Sequence, residues 1–265
     1  MNIELIEKYN IDSELKKDAA SLIRRNEAGI LRLSDKFLHK KTGCLKFKND
    51  LTRLAVVLKA SETTYRMYKA KGIDDAVFFD TMDDIRIWCE DNRNQGLKNY
   101  HWVRNHICFE LFKLGRLQFQ IFRFPYVIYN SDKTPLKIAE NVINVHIPRG
   151  ERLDYDACVS SIEQAKFFFK AYFPDYRFKY FICDSWLLYD KNKEFMDENS
   201  NIIRFQSFFK ITMSSPDDSQ AIERIFGRKE KDALCYPQKT SLQKAAKNYI
   251  LSGGRLGKGF GYFEA

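Results

Sequence analysis

His146 closes an alternating apolar run, and its imidazole is the side chain here best suited by type to move a proton near neutral pH. A lone histidine in a sheet also reads as a hydrogen-bonded structural residue. Directly after it come Ile147-Pro148-Arg149-Gly150-Glu151-Arg152, in which two guanidinium groups flank a glycine. Arg149 and Arg152 have the charge to pair a phosphate, and Gly150 lets a ligand approach the backbone. A plain connecting turn would use the same residues. Asp154 and Asp156 stand where the next helix starts, and they would cap it themselves and repel an anion. A third cluster is Cys183-Asp184-Ser185 with Tyr189. Ser185, Asp184 and His146 are the residue types of a hydrolytic triad. No Gly-x-Ser-x-Gly elbow surrounds the serine, which argues against a hydrolase. Cys183 lies in an apolar run and reads as a buried thiol rather than a nucleophile.

Two further groupings invite a chemical reading and do not sustain it. Gly253-Gly254-Arg255-Leu256-Gly257-Lys258-Gly259 has a phosphate loop's composition, but no helix follows to receive the anion, so a helix stop and a turn are expected. His106 and Glu110 sit four apart and lack a third metal ligand. The six cysteines (Cys44, Cys89, Cys108, Cys158, Cys183, Cys235) contain no CxxC pair. Free thiols in a reducing compartment and no metal site are therefore expected. The net charge of +9 is spread along the chain rather than gathered in an arm. With no RRM, helix-turn-helix or zinc motif, nucleic acid is not an expected partner. No apolar run is long enough to cross a bilayer, and the first residues lack a basic leader with an apolar core, so a cytoplasmic protein is expected.

The elements that must position these residues fall into two halves. Over residues 1–114, apolar positions recur at helical spacing: Leu15 to Phe37 with a bend near Gly29, Asp50 to Lys71 ended by Gly72, a third helix opened by Asp74 and Asp75, and a fourth carrying Trp102, Ile107, Phe109 and Phe112. From Arg116 the period changes. Leu117, Phe119 and Ile121 alternate with polar residues in a strand that extends toward Tyr129, and Asn130-Ser131-Asp132-Lys133 makes a turn. A strand over Val142 to Ile147 ends at Pro148, a helix runs from Asp154 to Phe173, and an apolar strand covers Arg177 to Leu188. A short polar helix, a strand over Ile202 to Met213, a helix from Pro216, a helix capped by Thr240 or Ser241, and a last strand over Phe260 to Phe263 complete the chain. A strand that follows a crossover helix pairs parallel with the one before it. The expected fold is thus α+β to α/β: a helical domain over residues 1–114, and a mixed sheet flanked by helices over residues 115–265.

Several segments together resemble a known family. They are His146-Ile147-Pro148-Arg149-Gly150 ahead of a helix, Cys183-Asp184-Ser185-Trp186-Leu187-Leu188, Ser200-Asn201-Ile202-Ile203-Arg204-Phe205-Gln206, and Thr240-Ser241-Leu242-Gln243-Lys244-Ala245 before Gly253-Gly254. They are similar to a bacterial family of two-domain acyltransferase-like proteins, which pairs an N-terminal helical N-acyltransferase domain with a GNAT-like C-terminal domain. Leu114-Gly115-Arg116-Leu117-Gln118-Phe119 looks like that family's domain junction. The resemblance covers nearly the whole chain.

It implies an acyl-CoA-dependent transfer, from acetyl-CoA or another acyl-CoA to a small-molecule or peptide amine, with the helical half shaping the acceptor site. Such a reaction needs backbone N–H groups for the pyrophosphate, a donor for the developing oxyanion, a base for the amine and an acid for the leaving thiolate. The loop with Ile147, Arg149, Gly150 and Arg152 stands where the resemblance puts the cofactor's pyrophosphate; His146 is the candidate base, Tyr189 the candidate acid, and Ser185 can reach the same cleft. The GNAT signature, Gln or Arg followed by xxGxG or xxGxA, is absent from the loop. A relative that has lost catalysis and serves as a binding or scaffold protein is the rival expectation. Oligomeric state is not specified by the sequence.

Overall fold

The computed structural model describes residues 3–39, 45–125 and 134–265. Cys44, the strand extension toward Tyr129 and the turn at Asn130–Lys133 lie outside them. Two compact units emerge. One holds residues 1–120, 147–151 and 167–173; the other holds residues 121–146, 152–166 and 174–265.

The first unit contains seven helices among the described residues: α1 (Ile3–Glu7), α2 (Ser13–Arg25), α3 (Glu27–His39), α4 (Asp50–Ala70), α5 (Asp75–Met82), α6 (Asp84–Asp91) and α7 (Tyr100–Ile107). α4 starts at Asn49, whose side chain accepts the Thr52 N–H, and stops where Gly72 turns left-handed. There the N–H of Ile73 reaches the Tyr68 carbonyl and that of Gly72 reaches the Lys69 carbonyl, a closure that needs φ above zero at one residue. α2 and α3 part at Asn26 rather than at Gly29. Gly29 instead leaves room for the Asn26 side chain, into which any Cβ would run. Tyr68 is fully buried, with Phe78, Phe109 and Phe112 at ring separations of 5.2, 4.9 and 5.9 Å.

Helical spacing suggested one helix through Phe112. The helix ends at Ile107, Phe109 takes φ +61°, and Leu111–Leu114 is the first strand, β1. A left-handed Phe carries no sequence signal. β1 forms an antiparallel hairpin with β2 (Leu117–Arg123), and the Thr81 hydroxyl accepts the Lys113 N–H from the edge of β1.

In the second unit lie β3 (Asn141–His146), β4 (Tyr180–Ser185), β5 (Lys210–Ser215) and β6 (Lys258–Glu264), together with most of α8 (Tyr155–Tyr172) and with α9 (Asn201–Gln206), α10 (Ser219–Phe226) and α11 (Ser241–Leu251). The six strands follow the order β1-β2-β3-β4-β6-β5. β3 and β4 are parallel, as the crossover through α8 requires, while β6 is antiparallel to both β4 and β5. The fold class is the expected one. The apolar run read as a strand over Ile202–Met213 divides into α9 and β5. Ser200 caps α9 by accepting the Ile203 N–H. Short apolar runs do not distinguish strand from helix by periodicity alone.

Tyr176 supplies a side-chain link at the start of β3. Its hydroxyl donates to the Phe122 carbonyl (2.6 Å), accepts the Phe122 N–H (3.2 Å) and lies 3.0 Å from the Val142 carbonyl. Phe124, Leu136, Val142, Ile182, Phe260 and Tyr262 form a core on one face of the sheet. Ile222, Ile225, Phe226, Tyr236, Ala246 and Leu256 form another around α10 and α11. Among the described residues no helix is long and apolar enough to cross a membrane.

Candidate functional site

The parallel ladder between β3 and β4 is short. Ile143 faces Phe181 and Asn144 faces Ile182, and there the register ends, although β3 runs on to His146 and β4 to Ser185. β4 meanwhile keeps its pairing with β6 as far as Ser185 opposite Gly259. The opening therefore lies on the β3 side, at the carboxyl ends of two parallel strands, the end of an α/β sheet where ligands bind. His146 is half-buried at this end, on the face opposite the buried Ile143 and Val145.

Across the opening, β4 delivers a tightly braced turn. Ser185 is buried, and its Oγ accepts the Leu187 N–H at 3.2 Å, capping the 3₁₀ turn Trp186–Leu188. The Asn192 amide donates to the carbonyls of Trp186 (2.9 Å) and Leu187 (3.3 Å). The Gln206 amide donates to those of Leu187 (2.7 Å) and Tyr189 (3.0 Å). Cys183 is buried, and burial pushes its thiol far above the ordinary range, which makes it a poor nucleophile. Asp184 pairs with Lys258 at 3.2 Å. Tyr189 is 3% exposed; burial, then the charges of Asp190 and Glu194, raise its phenol.

The glycine cluster is explained by this turn. Gly253 adopts φ +91°, and the N–H groups of Gly253 and Gly254 return to the carbonyls of Ile250 and Tyr249, closing α11 as a left-handed stop does. A Cβ on Gly257 would collide with the Ser215 carbonyl and the Tyr189 ring, and one on Gly259 with the Leu188 carbonyl. These glycines let backbones touch.

The loop after β3 is built differently. Arg149, Gly150, Glu151 and Arg152 are exposed. Gly150 sits at φ +96° with open space where a Cβ would be, so its backbone conformation and not crowding calls for glycine. Arg149 donates through Nη1 to Asp91 at 2.6 Å, and its guanidinium lies 5.5 Å over the Trp88 ring. Glu151 receives the Lys113 ammonium at 2.6 Å, and its carbonyl accepts from Arg116 at 2.9 Å. Asp154 accepts the Ala157 N–H at 2.9 Å and so occupies the start of α8.

Sequence reasoning did not single out two polar groupings. One is a recess of about 460 Å³ that Tyr189 lines with Lys191, Glu194, Tyr249 and Arg255. Tyr249 donates to Glu194 at 2.7 Å, and burial together with that carboxylate pushes its phenol up to about 12. The other is centred on Asp84, 5% exposed. Its Oδ1 accepts from Gln118 (2.9 Å); its Oδ2 accepts from Trp102 (2.6 Å) and Trp88 (3.2 Å) and lies 3.3 Å from His106 Nε2. Burial alone would raise the carboxyl, but the neighbouring His106 and the hydrogen bonds from it, Trp102 and Gln118 bring it down to about 2. The spacings Asp84/Trp88 and Trp102/His106 are visible in the sequence, whereas their convergence needs the fold. Among the described residues no three His, Cys, Asp or Glu side chains gather to hold a metal.

Two family models match the chain. Residues 3–109 match the N-acyltransferase N-terminal domain and residues 111–263 the GNAT-like C-terminal domain. No curated protein matches the chain. Among solved structures, an acyltransferase in complex with decanoyl-CoA and teicoplanin superposes with a TM-score of 0.79 at 21% identity, over 98% of this chain and 86% of that one. A mutant acyltransferase in complex with octanoyl-CoA gives the same values, and an acyltransferase with decanoyl-CoA gives 0.78 at 19% over the same shares.

Proposed function

The chain belongs to the family that joins an N-acyltransferase N-terminal domain to a GNAT-like C-terminal domain, and from that membership we propose that it transfers an acyl group from acyl-CoA to an amine. The observation that carries this reading is the end of the β3–β4 ladder after Asn144 and Ile182, which opens the sheet at the carboxyl ends of parallel strands. The complexes of the structural neighbours with decanoyl-CoA, octanoyl-CoA and teicoplanin support acyl-CoA as co-substrate and a small-molecule amine as acceptor.

The chemistry is assigned to residues 115–265. The amine nitrogen attacks the thioester carbonyl, the N–C bond forms, and the C–S bond breaks. His146, at the end of β3, takes the amine proton, and Tyr189, kept protonated by its burial, supplies one to the departing thiolate. Ser185 holds the turn that presents Tyr189, since its oxygen is bonded to the Leu187 N–H. The loop carrying Ile147, Arg149, Gly150 and Arg152 receives the pyrophosphate. A relative that has lost catalysis and serves as a binding or scaffold protein is the alternative, and the capping of α8 by Asp154, which sets a negative charge where the pyrophosphate would lie, favours it.

The test is calorimetric titration of the full chain with coenzyme A and with acetyl-, octanoyl- and decanoyl-CoA, followed by CoA release in the presence of primary amines. The expected result is binding, with release that His146→Gln reduces about a hundredfold or more. Binding without release, or no binding at all, overturns the transferase reading and favours the alternative.

A further inference from the structure

We propose that Trp88 is a positioning residue that holds Arg149 ready for an anion, and that the buried Asp84 carboxylate fixes Trp88 for this purpose. The inference rests on the reading of the Arg149 loop as the pyrophosphate site.

Asp84, Trp88 and Asp91 stand at successive turns of α6 and share one stripe of the helix. The stripe runs from a buried end to an exposed one: Asp84 is buried, Trp88 half-buried and Asp91 exposed. At the buried end Asp84 accepts the indole N–H of Trp88 at 3.2 Å, while Trp102, Gln118 and His106 hold the carboxylate from other sides. A carboxylate so enclosed has little freedom to turn, so it restricts the rotation of the indole it accepts from. At the exposed end the Arg149 guanidinium lies 5.5 Å from the ring centroid and donates to Asp91 at 2.6 Å. Arginine is the cation suited to this seat, because its flat, weakly hydrated head can lie on a ring and still donate in its own plane. An arginine already held in place loses less freedom when it meets a phosphate than one moving in solvent. Asp84 touches neither Arg149 nor the loop; it acts through the indole.

The test separates positioning from general damage by using two ligands. Coenzyme A carries the diphosphate, and pantetheine is the same arm without it. Affinities for both are measured by calorimetry on the full chain. Arg149→Ala is expected to weaken coenzyme A about tenfold and leave pantetheine unchanged. Trp88→Ala is expected to weaken coenzyme A about fivefold, again sparing pantetheine, and the double variant should be no weaker than Arg149→Ala alone, since the two residues act as one unit. Asp84→Asn and Trp88→Phe, which keep the packing and remove the charge or the N–H, should each cost about threefold through the same coupling. Additive losses in the double variant, or equal losses for the two ligands, overturn the positioning role while leaving the loop as the anion site. An Arg149→Ala protein that binds coenzyme A like the parent overturns the loop reading and this proposal together. If Trp88→Ala does not fold, Trp88→Phe combined with Arg149→Ala gives the same cycle.

Discussion

β3 and β4 are parallel neighbours that end side by side, yet the chain leaves them in opposite ways. After β3 it enters an exposed loop steadied by charge: Arg149 on Asp91, Lys113 on Glu151, and Asp154 on the first turn of α8. After β4 it enters a buried turn steadied by side-chain amides on backbone carbonyls and by glycines that admit close contact. Ion pairs at a surface contribute little to stability and respond to salt and to other anions. Buried amide bonds and close packing contribute much and respond to neither. One strand end is thus suited to exchanging partners, the other to holding a geometry.

The comparison is broken most directly at Gly259. Gly259→Ala sets a methyl against the Leu188 carbonyl, and because backbone lies on both sides, about 3 kcal/mol of stability should be lost. Thermal unfolding measures this; an unchanged midpoint would mean that the turn after β4 yields easily.

Asp84, which stands behind the charged loop, makes a prediction in pH. Its folded value of about 2 lies below the ordinary aspartate value of 3.8. Its contribution is therefore present above the unfolded value and lost as pH falls through the folded one. Between pH 4 and pH 2 the parent should lose about 2 kcal/mol more than Asp84→Asn does. Parallel acid-unfolding curves for the two proteins would contradict that. Gln206→Leu comes next. It removes one of two donors from each of the Leu187 and Tyr189 carbonyls, which keep the Asn192 amide and the Asn192 N–H, at a cost of about 1 kcal/mol in denaturant unfolding. The smallest expected effect is at the loop itself. Asp91→Asn should change stability by less than about 0.5 kcal/mol. By removing a competing negative charge beside Arg149, it should tighten coenzyme A binding about twofold at low salt and less at high salt. A large loss of stability in this variant would erase the contrast between the two strand ends.

Much of this was legible in the sequence where one residue decides the outcome. Pro148 and Asp154 bound the loop after β3, Gly72 stops α4, Thr240 caps α11 by accepting the Gln243 N–H, and Gly253 ends that helix. Alternation alone put Asn144 and His146 on the less buried face of β3. Legibility failed where long-range contact decides. Ile202, Ile203 and Phe205 suit a strand by type, yet Ser200 caps them into α9, whose Gln206 is needed by the turn after β4. Phe109 and Phe112 keep helical spacing, but the aromatic cluster around Tyr68 draws them to a strand and the bend before it. In the candidate site, Ser185 and Arg149 were picked out by residue type. Their partners, a neighbouring N–H and a carboxylate on α6, are set by the fold.

The Tyr176 hydroxyl has a consequence for motion. The Phe122 amide proton is bonded to the Tyr176 phenol, so its exchange with solvent follows the swing of that ring. Side-chain rotation is far faster than the local unfolding that exposes a sheet amide. In deuterated buffer Phe122 should therefore label well ahead of the paired amides of β4 and β6, as a clock for the joint beside the strand that carries His146.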